Sequence, residues 1–143
     1  MENVKLNIAV HVFLSRDNQL LLLKRKNTKV FDKMWSVPSG RLDSGEGILK
    51  AAIREAKEEV GVDIKVEDLL DPLFMHHKDE RGEHIYVFFI CHNWQGEAVN
   101  MEEDKCEKIE WFDIKNFPKD FLPHIKEAWL QMQNNKIYIE YGF

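Results

Sequence analysis

An α+β fold, a mixed β-sheet packed by helices, is what this amino-acid sequence predicts, and three observations predict it. Apolar residues alternate with period two in several short runs, two pairs of these runs flank polar turns as hairpins do, and two further segments carry apolar residues at helical spacing. The chain has 143 residues, of which 44% are apolar and 31% charged, with 7 Gly and 4 Pro. That profile predicts one globular domain over residues 1–143.

At the start Leu6, Ile8, Val10, Val12 and Leu14 are apolar, while Asn7 and His11 fall between them. This is the pattern of a strand with one buried face. Residues 15–18 are polar and turn-prone, and residues 19–25 form a second extended run, so the two make a hairpin. Residues 27–45 are rich in turn formers and interrupted by Trp35, Val37 and Leu42, which predicts short strands or a functional loop. Leu49, Ala52, Ile53, Ala56 and Val60 then share one side of a helix, and Gly61 supplies its stop. Residues 73–78 and 84–92 flank the polar turn 79–83 as a second hairpin, with His76 and His77 on opposite faces of the first strand. The second of these strands is apolar at both alternations, the mark of a central strand covered on both sides. Residues 108–114 read as one more strand, and Pro123 opens a helix with Ile125, Ala128, Trp129 and Met132 on its apolar face.

Charge and composition exclude several classes of function. Twenty basic against 25 acidic residues leave a net charge of −5, which gives no electrostatic grip on bulk nucleic acid. The apolar run from Leu20 to Leu23 is far short of a membrane span, and Asn7 and His11 interrupt any signal-peptide core. Two cysteines, Cys91 and Cys106, are too few for a disulfide framework. A cytoplasmic, reduced protein is expected, with no membrane partner.

The chemistry concentrates between Gly40 and Val62, GRLDSGEGILKAAIREAKEEVGV. Glu55, Glu58 and Glu59 stand at i, i+3 and i+4, so their carboxylates project from one patch, on the side away from the apolar stripe. Each like-charged pair costs a few tenths of a kcal/mol, and the oxygen-rich cluster suits a hard divalent cation such as Mg²⁺. Arg54 lies four residues before Glu58, at ion-pairing distance on a helix, and Glu46 just precedes the first turn. The whole spacing reads G-x5-E-x7-R-E-U-x-E-E-x-G-U, where U is aliphatic, and it resembles the Nudix box. With a background of roughly one in fifteen at each fixed position, such an alignment arises by chance on the order of once in a million chains of this length.

The resemblance implies a Nudix hydrolase of the MutT type, an α/β/α sandwich in which a mixed sheet lies between helices. It implies a site in which Gly40 (through its carbonyl), Glu46, Glu55, Glu58 and Glu59 hold Mg²⁺, with Mn²⁺ as a substitute. Glu55 would be a ligand or the residue that activates water, and Arg54 would orient a catalytic carboxylate. Arg25, fifteen residues before Gly40, resembles the position from which relatives contact a nucleotide phosphate. Residues 99–106, VNMEEDKC, are similar to the V-x-E-P-E-K-C segment of some relatives, which places Glu102 facing the metals. Glu103 stands where that segment has proline, which leaves open whether Glu102 or Glu103 turns inward. Ser39 departs from the glycine of many relatives. Trp35, Phe31 and Tyr86 are candidates for stacking on a base, with core packing the alternative for Trp35.

The expected reaction is metal-assisted hydrolysis of a phosphoanhydride without a covalent protein intermediate. No Ser occupies a G-x-S-x-G elbow, and Glu46 stands where a P-loop requires Lys. A small-molecule nucleotide is the expected partner, for a monomer or homodimer. A nucleoside triphosphate, normal or oxidised, giving monophosphate and pyrophosphate, is the first expectation. ADP-ribose or another nucleoside diphosphate sugar is the alternative, and a non-catalytic nucleotide-binding module is the alternative of another class.

Overall fold

In the computed structural model, which describes residues 1–143, strand β1 (Asn7–Arg16) turns into β2 (Gln19–Arg25) through Asp17 and Asn18 alone. Both turn residues have positive φ, 53° and 61°, the backbone that a two-residue hairpin loop requires and that Asp and Asn tolerate. Two short strands follow, β3 (Trp35–Ser36) and β4 (Ser39–Arg41), and then helix α1 (Ile48–Val60), closed by Gly61 at φ 74°. A single 3₁₀ turn (Val66–Asp68) leads to β5 (Leu70–Asp79), β6 (Gly82–Cys91) and β7 (Cys106–Asp113). Helix α2 (Pro123–Gln133), with Pro in its first turn, and a final strand β8 (Tyr138–Tyr141) complete the chain.

The sheet runs β3-β2-β1-β6-β5-β8, with β4 added on β1 and β7 on β2. It is mixed, since β1 with β6 and β5 with β8 are parallel and the other pairs antiparallel. One edge of β1 is shared: Ala9, Val10 and His11 pair with β4, whereas Ser15 and Arg16 pair with β2. The segment carrying the box leaves the sheet at that division.

Each face of the sheet has its own apolar cluster. Val10, Val12 and Leu14 of β1 meet Ala51, Ala52, Ala56 and Val60 of α1 on one side. Phe13, Phe88, Leu73 and Met75 meet Ile125, Ala128, Trp129 and Met132 of α2 on the other. The molecule is therefore the α/β/α sandwich that the sequence led us to expect. No helix is long and apolar enough to cross a membrane.

Three local expectations need correction. From Val10 to Ser15 β1 is buried on both faces, while Ile8 and, just before the strand, Leu6 are exposed. On α1 the buried stripe is Ala51, Ala52, Glu55, Ala56 and Val60; Leu49 is 43% exposed and Ile53 is only partly covered. The stripe is thus rotated toward the carboxylates, since small alanines let the helix approach the sheet where β4 also passes. Strand β8, a short parallel edge strand, had no counterpart in the sequence reading.

Candidate active site

Close approach of α1 to β4 builds the centre of the site. Glu55 is buried against Gly40, where a Cβ would run into the Glu55 carboxylate and push it aside, so the missing side chain is what lets the carboxylate take this place. The neighbouring Ser39 donates its backbone N–H to Glu59 Oε2 at 2.7 Å. The absence of a second glycine at Ser39 is therefore harmless, since only its backbone is used.

Arg54 is the hub of the charges. Its Nε donates to Glu46 Oε2 at 2.7 Å, its Nη2 to Glu46 Oε1 at 2.9 Å and to the Arg41 carbonyl at 3.1 Å. Its Nη1 donates to Glu55 Oε1 at 2.8 Å and to Glu58 Oε2 at 3.2 Å. Glu46 Oε1 also accepts from the Asp43 N–H at 3.0 Å. Both oxygens of Glu46 are thus engaged, and Glu46 does not line the cavity described next. Glu46 thereby supports Arg54 from just before the start of α1.

Glu55, Glu58, Glu59 and Glu102 line one cavity of about 330 Å³, together with Arg25 and Lys105. Helix α1 supplies three of these carboxylates, and the segment between β6 and β7 supplies Glu102. Of the two neighbouring glutamates, Glu102 lines this cavity while Glu103 is exposed. Glu55 Oε2, Glu58 Oε1 and Glu59 Oε1 accept no hydrogen bond within the protein. No three acidic, histidine or cysteine side chains converge as a finished metal cage. The donor set nonetheless fits a hard cation that keeps several waters: it is all oxygen, and three carboxylates each hold one oxygen free.

Burial pushes the Glu59 carboxyl well above the ordinary carboxylate range, with Glu55 and Glu102 adding to the shift and the Ser39 N–H opposing it. Burial also raises Glu55, against the pull of Arg54. Glu46 goes the other way, down to about 2, because Arg54 hydrogen-bonds its charged form. Arg25 has no carboxylate within ion-pairing distance, and its buried Nε has no hydrogen-bond partner. Burial lowers its affinity for the proton.

A second cavity, of about 250 Å³, adjoins the first and shares Arg25 and Ser36 with it. Phe31, Tyr86, His11, Arg41 and His124 are among its walls. Arg81, paired with Asp79 and donating to the Tyr86 hydroxyl at 3.2 Å, lies over the Phe31 ring 4.8 Å from its centroid. Trp35 lines neither cavity. It is 7% exposed and packs edge-on against Phe112 with Lys24 and Lys108 over its ring, the core packing that was the alternative to stacking on a base. Sequence reasoning passed over Arg81 and Lys105. Lys105 had a signal in the quoted K-C segment, whereas Arg81 is one polar residue of a turn and had none.

Fold and site together present a mixed sheet between two helices with a cavity lined by three carboxylates of one helix. The chain belongs to the Nudix hydrolase family: the model of the NUDIX domain matches residues 5–132. An ADP-ribose pyrophosphatase of Methanocaldococcus jannaschii is 36% identical over 119 residues, 83% of this chain and 69% of that protein. An 8-oxo-dGTP diphosphatase of Proteus vulgaris is 31% identical over 100 residues, 69% of this chain and 87% of that protein. The crystal structure of a MutT NUDIX hydrolase from Burkholderia pseudomallei superposes with a TM-score of 0.77 at 24% identity, covering 90% of this chain and 98% of that one, and shares the fold.

Proposed function

We propose that this protein is a divalent-metal-dependent pyrophosphohydrolase that cleaves nucleoside triphosphates, oxidised dNTPs included, to nucleoside monophosphate and pyrophosphate by attack of water. The observation that carries the reading is the single cavity that joins Glu55, Glu58, Glu59 and Glu102 to Arg25 and Lys105. Carboxylates to hold cations and cations to hold phosphates are both needed by a catalyst of phosphoanhydride hydrolysis.

Glu58, Glu59 and Glu55, with the Gly40 carbonyl, are the groups that would hold Mg²⁺ or Mn²⁺. A cation so held supplies charge neutralisation on phosphate oxygens and lowers the pKa of water. Glu55, whose proton affinity is raised by burial, accepts the proton of the attacking water, and Arg54 keeps its carboxylate aimed. Glu102 lines the same space. Arg25, lacking a carboxylate partner, takes a phosphate oxygen where the two cavities meet, and the second cavity receives the nucleoside beside Phe31 and Tyr86.

A second reading, hydrolysis of ADP-ribose, is favoured by the 36% identity with the archaeal ADP-ribose pyrophosphatase. Two adjoining cavities that meet at Arg25 also suit a diphosphate with a group on each end. Incubation with Mg²⁺ and a panel of NTPs, dNTPs, 8-oxo-dGTP and ADP-ribose separates the two, because only the first reading releases pyrophosphate. Glu58→Gln is expected to keep its fold and lose more activity than the about 10–100-fold typical of removing an outer partner of a metal ligand. Unchanged turnover in that variant rejects the site.

A further inference from the structure

The segment between β6 and β7 reaches the cavity from outside α1, and its position has an identifiable cause. Its backbone docks on the last turn of α1: the Val99 N–H donates to the Val60 carbonyl at 3.0 Å and the Met101 N–H to the Glu59 carbonyl at 3.1 Å. Between these two anchors the Asn100 side chain closes the loop on itself. Its Nδ2 donates to the Cys106 carbonyl at 2.7 Å, and its Oδ1 accepts the Glu102 N–H at 3.0 Å. The Glu102 carbonyl in turn accepts the Lys105 and Cys106 N–H groups at 2.9 and 2.8 Å. Glu102, Lys105 and Cys106 all line the carboxylate cavity.

We propose that Asn100 is a positioning residue for the reaction: it holds the backbone of Glu102 so that this carboxylate faces the cavity, in fixed relation to Glu59. The inference rests on the role given to Glu102 in the proposed function. A proline after Glu102 would restrict the backbone directly, and Glu103 at that position imposes no such limit on φ. The side-chain bridge supplies the restraint instead. It needs a donor and an acceptor on one short planar group, which Asn has and Asp lacks, since Asp would set a carboxylate oxygen against the Cys106 carbonyl. The amide orientation is fixed by its partners, one a carbonyl and the other an N–H.

A double-mutant cycle separates positioning from a general contribution to loop stability. The kcat and KM of Asn100→Ala, of the near-isosteric Asn100→Asp, of Glu102→Gln and of both doubles are measured with Mg²⁺ on the best substrate of the panel. Amide hydrogen exchange is followed in the metal-free proteins. Asn100→Ala and Asn100→Asp each lower kcat about tenfold in the wild-type background and less than about twofold in the Glu102→Gln background, because the group they position is already disabled. In both variants the Lys105 and Cys106 amides exchange faster while those of α1 keep their protection. Equal losses in the two backgrounds, or an unchanged kcat in both Asn100 variants, overturn the inference while the proposed function stands. An unchanged kcat in Glu102→Gln overturns the assigned role of Glu102 and this inference with it.

Discussion

Arg54 explains how Glu55 and Glu58 can share one helix face beside a buried wall. A guanidinium offers donors in a fixed planar fork, and Arg54 spends them on Glu46, Glu55, Glu58 and the Arg41 carbonyl at once. Lysine in its place would keep the charge but could not bridge these partners, so Arg54→Lys is expected to lower kcat at least about tenfold through a mis-aimed Glu55. Urea unfolding should show an accompanying loss of about 1–3 kcal/mol, from hydrogen bonds left unmade in a partly buried network. A variant with wild-type kcat would show that the fork is dispensable. The sequence revealed only part of this network. The i, i+4 spacing of Arg54 and Glu58 is local and was legible, whereas the stronger pairing with Glu46 depends on how residues 42–47 bend back, which spacing does not encode. Trp35 teaches the same limit, since an aromatic side chain fits a core and a ligand pocket equally well until its neighbours are known.

The helix that carries the carboxylates is tuned by small residues. Ala51, Ala52 and Ala56 are fully buried and let α1 lie close enough to β4 and β1 for Glu55 to reach Gly40. Ala52→Leu overfills this contact and is expected to cost about 1–3 kcal/mol, read from the shift of the urea midpoint. Leu49→Ser, at an exposed position in the first turn, should change stability by no more than about 0.5 kcal/mol. Equal effects of the two substitutions would restore the stripe that periodicity alone suggested. That stripe was nearly right: Ala52, Ala56 and Val60 were placed correctly, and Gly61 ends the helix as expected. It failed at Leu49 because hydrophobicity marks which residues favour burial, while the extent of the sheet decides how far along the helix burial is available. It failed at Glu55 because a carboxylate paired with Arg54 can be buried where hydrophobicity alone would not place it. Strand β8 escaped notice since its partner β5 lies about sixty residues earlier, and such pairing leaves no local trace.

For the molecule as a whole, two apolar clusters on opposite faces of one sheet drive folding, and the acidic site at its edge opposes it. The opposition has a pH signature whose sign follows from Glu59. In the unfolded chain this glutamate ionises near its ordinary value, about 4.3. In the folded protein burial holds the proton to well above that value. As pH rises from the ordinary value through the folded one, the unfolded state releases its proton first, so stability falls across that window and levels above it. Below the window both states are protonated and the full stability is present. Glu46 is separated from this effect, since its depressed value near 2 makes its contribution vanish only on the acid side. Glutamine at position 59 can still accept the Ser39 N–H and carries no charge, so Glu59→Gln should melt higher than wild type at pH 8 with a chelator present. The gap should narrow toward pH 4.5. Parallel melting curves from pH 4.5 to 9 would show that Glu59 is not held in a desolvated state. Adding Mg²⁺ completes the argument, because a ligand bound only by the folded state stabilises it by about 2.7 kcal/mol at a hundred times its Kd. Wild type should recover the stability that its buried charge removes, the Gln variant should gain less, and the order of the two melting temperatures should reverse.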